Sequence, residues 1–263
     1  CFAGSARASR IARYSASSAR MPPRPLSGDR PAAFSCANTS PSGSPEIVAA
    51  VGKMLRLMHA RLTHERTHRP YQQLWGVIQG AQFEDLRRKA ARDLGAMDVE
   101  GWGFDGFGIG GALEKENLGT IVGWVNSELP EDKPKHLLGI SEPDDIFTAI
   151  ENGVDTFDCV SPTRVASNGA IYSLDGRYNV TNAKYRSDFR PLDPEVENYT
   201  SQYSRAYLHH LFKAKEGLGP TLATLHNVSF IVTLVDRARQ AIENGTYTEY
   251  RDEFLRRYYG GPR

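Results

Sequence analysis

Cysteine is scarce in this sequence. Three in 263 residues (Cys1, Cys36 and Cys159) cannot build a disulfide framework, so a reducing, cytoplasmic setting is expected. Long apolar runs are missing too: nothing approaches about 18 consecutive apolar residues, so no membrane span is expected. Nor is there an excess of one charge. Lys and Arg number 32 against 31 Asp and Glu, a formal net charge of +1, which argues against a strongly basic nucleic-acid binder. That average hides a split. Residues 1–70 carry 11 Lys/Arg against 3 Asp/Glu, whereas residues 71–263 carry 21 against 28. With 40% hydrophobic and 24% charged residues, the chain has a globular composition and length for one large domain or two ordinary ones.

The opening 45 residues are rich in Ser, Ala, Arg and Pro, with no acid before Asp29 and no sustained apolar period. Such a stretch buries too little apolar surface to offset its ordering entropy, so residues 1–43 are expected to be a disordered, low-complexity segment. An Arg- and Ser-rich, acid-poor start also suits an organellar transit peptide, and Cys1 a processed lipoprotein. The preferred reading is a shortened or wrongly assigned N-terminus. From Pro45, the stripe Ile47, Val48, Val51, Leu55 and Leu62 predicts a helix that Pro70 ends.

Beyond Pro70 the pattern alternates. Strands are expected at 74–78, 101–110, 136–140 and 154–160; helices are expected at 82–94, at 114–128 and from a Ser141 cap to Gly153. Strands joined by helices imply a parallel sheet with right-handed crossovers. Residues 169–180 read as a hairpin about Asp175-Gly176. The tail reads as helices over 204–216, from Leu225 to Ile242 with a stop at Asn244-Gly245, and from Tyr247 to Tyr258. Four βα units cannot close an eight-stranded barrel, so the ordered part (44–263) is expected to be half a barrel (71–190) with a helical appendix (191–263).

Two motifs invite over-reading. His64-Glu65-Arg66-Thr67-His68 fits H-E-x-x-H, which on a helix sets two imidazoles on one face for zinc. Pro70 ends that helix at once and the surroundings are polar, so an exposed charged face is the better reading than a zinc peptidase. Gly106-Phe107-Gly108-Ile109-Gly110-Gly111 contains G-x-G-x-x-G. It sits in the second βα unit, with no acid at the next strand end, which disfavours a dinucleotide. Bare backbone against which something flat can lie is the alternative.

Four stretches, taken in order, resemble the tRNA-guanine transglycosylases: WGVIQG (75–80), GIGG (108–111), FDCVSPTR (157–164) and YSRAYLHHL (203–211). The resemblance covers about residues 60–260. It implies a (βα)8 TIM-type barrel, incomplete here, with a C-terminal helical subdomain. It also implies exchange of the wobble guanine of tRNA for a 7-deazaguanine, preQ1 or queuine, on the route to queuosine. Breaking and remaking an N-glycosidic bond at C1′ suits a carboxylate that traps the sugar covalently, as in retaining glycosidases. By resemblance Asp158 is that nucleophile; read alone, it is a strand-end Asp capping a turn. Gln79 corresponds to the reader of the guanine edge. Gly110, Gly111 and Ala112 correspond to the wall under the base, and Glu116 to an acid facing the arm of the incoming base. Thr163 and Arg164 correspond to the loop that grips RNA. A homodimer through the C-terminal helices is implied as well.

Four departures stand out. Where the resemblance asks for a second arginine, the chain has Ser167. Where it asks for three zinc-binding cysteines, the chain has Glu195, Glu197 and Thr200, with His226 alone in register as a metal ligand. Two carboxylates, a hydroxyl and an imidazole are a poor set for zinc, so Zn2+ is implied by the family and expected to be lost. The Asp expected to handle proton transfer, within D-S-G-G-F, and a second Asp for the guanine edge have no counterpart. The appendix is then expected to hold by packing of Tyr199, Tyr203 and Tyr207 and of its helix faces. The reading from another class is a non-catalytic homologue that binds RNA or scaffolds an active subunit. RNA contact is expected to rest on a local patch of Arg164, Lys184 and Arg186.

Overall fold

The computed structural model describes residues 73–98, 103–110 and 115–260. The expected tail over 1–43, the helix before Pro70, His64, His68, Gly111 and Ala112 lie outside the described residues. Contacts divide the described chain into two compact units, one of residues 73–140 with 147–158 and one of 141–146 with 159–260.

The first unit is built on four parallel strands, β1 (Trp75–Ile78), β2 (Gly106–Ile109), β3 (Lys135–Leu138) and β4 (Thr156–Asp158), in the order β1-β2-β3-β4. Sequential order is that of a barrel wall; a doubly wound sheet would reverse direction at a switch point. Helix α1 (Glu84–Gly95) follows β1, α2 (Leu118–Asn126) follows β2 after a 3-10 turn at Lys115–Asn117, and α3 (Pro143–Glu151) follows β3. Each expected element is present, with shorter strands. Strand period two gives the sheet two different faces. Ile78, Phe107, Ile109 and Leu137 point to one and form a core with Ala91, Leu118, Val122 and Val125 of the helices. The other face carries Trp75, Val77, the three glycines 106, 108 and 110, His136, Leu138, Thr156 and Asp158.

The second unit contains α4 (Ser161–Ala166), a hairpin of β5 (Ala170–Ile171) and β6 (Tyr178–Asn179), then α5 (Arg205–Lys213), α6 (Leu218–Asn244) and α7 (Tyr247–Gly260). The hairpin forms about Asp175-Gly176, with Gly176 at φ +98° as its turn requires. Ser204 caps α5, its side chain accepting the Tyr207 N–H. Helix α6 ends at a left-handed Gly245; Gly245 N–H and Thr246 N–H return to the carbonyls of Ile242 and Ala241, a Schellman closure.

Helix α6 starts seven residues before the expected Leu225, because Gly219 and Pro220 fall in its first turn, where no intrahelical N–H bond is lost. By length and composition it is apolar enough to cross a membrane, with mean hydropathy 1.4 over its best window. The search for unbroken apolar runs misses it because polar residues interrupt it. Among those residues are His226 and Asn227, both buried inside the unit and bonded to its backbone.

The interior of this unit corrects one expectation in part: the helix faces pack as expected, but of the three tyrosines only Tyr203 packs against the core. Tyr199 and Tyr207 are exposed, whereas Tyr203 between them, with ring centroids 6.2 and 5.6 Å away, is half-buried against the core. Tyr172, Phe230, Phe254 and Tyr258 stack inside instead. The spacing of Phe230 on α6 and of Phe254 and Tyr258 on α7 turns those rings inward, and Tyr172 meets Phe230 from the segment after β5.

Candidate active site

Bare backbone is the first property of the candidate site. Strand β2 offers only glycines to its polar face. A Cβ on Gly106 would lie 2.8 Å from the Trp75 ring, and one on Gly110 would lie 3.1 Å from both Gln79 Nε2 and Leu138 Cδ1. The indole of Trp75 therefore lies flat across β2 and meets the His136 ring edge-on at 6.5 Å. Gln79 and Gly110 end neighbouring strands, at the C-terminal edge where parallel α/β proteins place their chemistry. Among the described residues nothing engages the Gln79 amide.

Arg87, which the sequence reading passed over, ties these strand ends together. It is fully buried on α1, donating from Nη1 to the carbonyls of Gly110 (2.6 Å) and Ile78 (3.2 Å) and from Nε to Ala81 (2.8 Å). Burial pulls its guanidinium pKa down to about 10, still charged at neutral pH. Three carbonyl oxygens, rather than a carboxylate, take its Nε and Nη1, and Nη2 is buried without a hydrogen-bond partner among the described residues. An Arg that starts a helix turn after a strand gives no such signal in sequence.

Asp158 ends β4 with its side chain 60% exposed. Its Oδ1 accepts from His136 Nε2 at 3.0 Å and from the Gly139 N–H at 3.3 Å, while Oδ2 has no partner among the described residues. Glu116 sits exposed in the 3-10 turn before α2. Gln79, Gly110 and Asp158 thus share one unit and one sheet edge.

A family profile described as Queuine tRNA-ribosyltransferase matches residues 32–260. The chain belongs to the queuine tRNA-ribosyltransferase family. Proteins of that name from Moorella thermoacetica, Caldanaerobacter subterraneus subsp. tengcongensis and Streptococcus pyogenes serotype M49 are 41%, 43% and 45% identical to it. The matches cover 90%, 75% and 74% of this chain, and 62%, 52% and 50% of those proteins. The chain therefore spans between half and two thirds of the length of these relatives.

In the second unit, residues 161–166, within the stretch that the resemblance assigns to gripping RNA, form α4. Thr163 Oγ1 donates to the Val160 carbonyl at 2.8 Å, and Arg164 is exposed. Ser167, where the resemblance asks for an arginine, donates its hydroxyl to the Arg164 carbonyl at 2.7 Å. A groove of about 560 Å3 elsewhere in this unit is lined by Arg186, His210 and Lys213, among others.

The family's zinc can be tested against the residues present. His226 is buried; Nε2 donates to the Tyr172 carbonyl at 2.8 Å, and Nδ1 faces Thr200 Oγ1 and Asn198 Nδ2 at 3.4 and 3.5 Å. Thr200 is neutral and its hydroxyl donates to Asn198 Oδ1. Glu195 is held by Arg257, two nitrogens to two oxygens at 3.0 and 2.6 Å, and Arg257 also binds Asp175 at 2.6 Å. The guanidinium holds both carboxyls below their ordinary pKa. A tetrahedral thiolate-rich centre finds one imidazole nitrogen here. The set does not fit zinc.

Proposed function

We propose that this chain is a tRNA-guanine transglycosylase that exchanges a wobble guanine for a 7-deazaguanine through an Asp158-bound ribose. The observation that carries this reading is the pairing of an exposed strand-end carboxylate on β4 with a glycine-floored strip on β2, two strands away across β3. Asp158 Oδ2 forms a bond to C1′ as the bond from C1′ to guanine N9 breaks, its electron pair leaving with the base. The incoming base then attacks C1′ through its own ring nitrogen and Oδ2 leaves, so two inversions give retention. Gln79 reads the guanine edge. Gly110, with Gly111 and Ala112, forms the wall against which the base lies, and Glu116 faces the arm of preQ1 or queuine. Thr163 and Arg164 bind the anticodon, helped by exposed Lys184 and Arg186. The four sequential strands are the wall of a (βα)8 barrel, and the helical appendix carries the exposed Tyr199 and Tyr207 into a homodimer. The setting is cytoplasmic.

The appendix holds together without zinc. Arg257 bridging Asp175 and Glu195, and the Asn198–Thr200–His226 cluster, take the places the ion's ligands would need.

A non-catalytic RNA-binding or scaffolding homologue is the second reading, favoured by Ser167. Incubating the full chain with unmodified tRNA and radiolabelled guanine separates the two. Label incorporation that disappears in Asp158→Asn supports the enzyme; a folded chain that binds tRNA and incorporates none supports the scaffold.

A further inference from the structure

The geometry points to His136 as a positioning residue for Asp158, an inference that rests on the transglycosylase reading above. Register brings three side chains into one line. His136 on β3 pairs with Thr156 on β4, and Asp158 lies two residues further along the same face, about 7 Å on at the rise of a strand. An imidazole carries nitrogens on opposite edges and fills that gap. Its Nδ1 lies 2.8 Å from Thr156 Oγ1 and its Nε2 3.0 Å from Asp158 Oδ1.

The donor roles follow from the chemistry. An ionised carboxylate only accepts, so Nε2 carries the proton. In the neutral ring Nδ1 then accepts, and the Thr156 hydroxyl donates to it. Thr156 thereby selects the tautomer that His136 needs to hold Asp158. The edge contact with Trp75, itself seated on Gly106, holds the ring from β1.

The arrangement matters because packing does little to fix this carboxylate, whose side chain is 60% exposed. The His136 Nε2–H takes Oδ1, and the Gly139 N–H, whose shorter bond goes to the Asp158 carbonyl at 3.0 Å, adds a second contact to it at 3.3 Å. Rotation about χ2 is thereby stopped and Oδ2 is left as the atom that meets C1′. Loss of such alignment costs about 100-fold in rate where the reacting atoms must be held in line.

Two measurements on the full chain test this. A long-range 1H–15N imidazole correlation, with His136 assigned by the signals lost in His136→Gln, is expected to show the Nε2–H tautomer and a shift towards a mixture in Thr156→Val. An Nδ1–H ring in the wild-type chain overturns the proposal. In base exchange, His136→Leu is expected to lower kcat about 100-fold with KM unchanged, and His136→Gln, whose amide can donate in place of Nε2, to restore most of it. Exchange that is abolished in Asp158→Asn yet undiminished in His136→Leu overturns the positioning role and leaves the transglycosylase reading standing. Exchange that is undiminished in Asp158→Asn overturns that reading and the role of His136 with it.

Discussion

Gly106 lacks a side chain because the Trp75 ring occupies the space a Cβ would need, 2.8 Å away. Gly106→Ala is expected to push the indole off β2 and destabilise the first unit by about 1–3 kcal/mol, the usual cost of overpacking, measured by urea unfolding. Arg87 carries a larger share. Each of its bonds joins a charged donor to a carbonyl, and bonds of that kind contribute about 1.5–3 kcal/mol each. Arg87→Met should therefore lower stability by about 3 kcal/mol or more and, through Gly110, weaken base binding more than tRNA binding; equal effects on both would contradict that placement. The glycines were legible in sequence as bare backbone. Arg87 and His136 were not, because each acts across strands whose register no sequence spacing reveals.

At the scale of elements, two polar side chains of α6 organise the second unit. Asn227 is fully buried, its Oδ1 accepting from the Tyr172 N–H and its Nδ2 donating to the Pro162 and Ala170 carbonyls. It fastens both α4 and the hairpin to α6. Asn227→Leu removes the side-chain partner from all three backbone groups, at about 1–3 kcal/mol for each left buried without another partner, and should unfold this unit first by hydrogen exchange. Asp188 ties the segment before α5 to Arg190 and Arg205, and the Arg190 bonds hold its carboxyl well below the usual range. A depressed folded pKa stabilises above the unfolded value, about 3.9, and that contribution is lost as pH falls through and below it. Thermal unfolding of the wild type should thus drop below about pH 4, and Asp188→Asn should flatten that dependence. Strand and helix order was legible because apolar runs and helical stripes survive in single sequences. Helix α4 was not, since six residues after a strand give too little period, and the start of α6 was hidden by Gly219 and Pro220. The fate of Tyr199, Tyr203 and Tyr207 depended on which way their turn faced.

At the scale of the molecule, the family follows from sequence pattern and matched relatives together, and the proposed chemistry rests on a handful of side chains. The domain that would meet tRNA carries the acidic part of the charge, 21 Lys/Arg against 28 Asp/Glu in residues 71–263. Binding is then local, and it should weaken with salt only as steeply as a few phosphate contacts require. Metal analysis should find no stoichiometric zinc, and chelator should leave the melting temperature unchanged; a chelator-induced drop would contradict the reading of Glu195, Thr200 and His226. The central claim is that Asp158 becomes covalently attached to ribose. Acid-quenched mixtures of the full chain with unmodified tRNA, run on denaturing gels and digested for mass mapping, test it directly. A tRNA–protein adduct mapped to Asp158 is the predicted result, and an adduct mapped to another residue, or none from folded protein bound to tRNA, would contradict it.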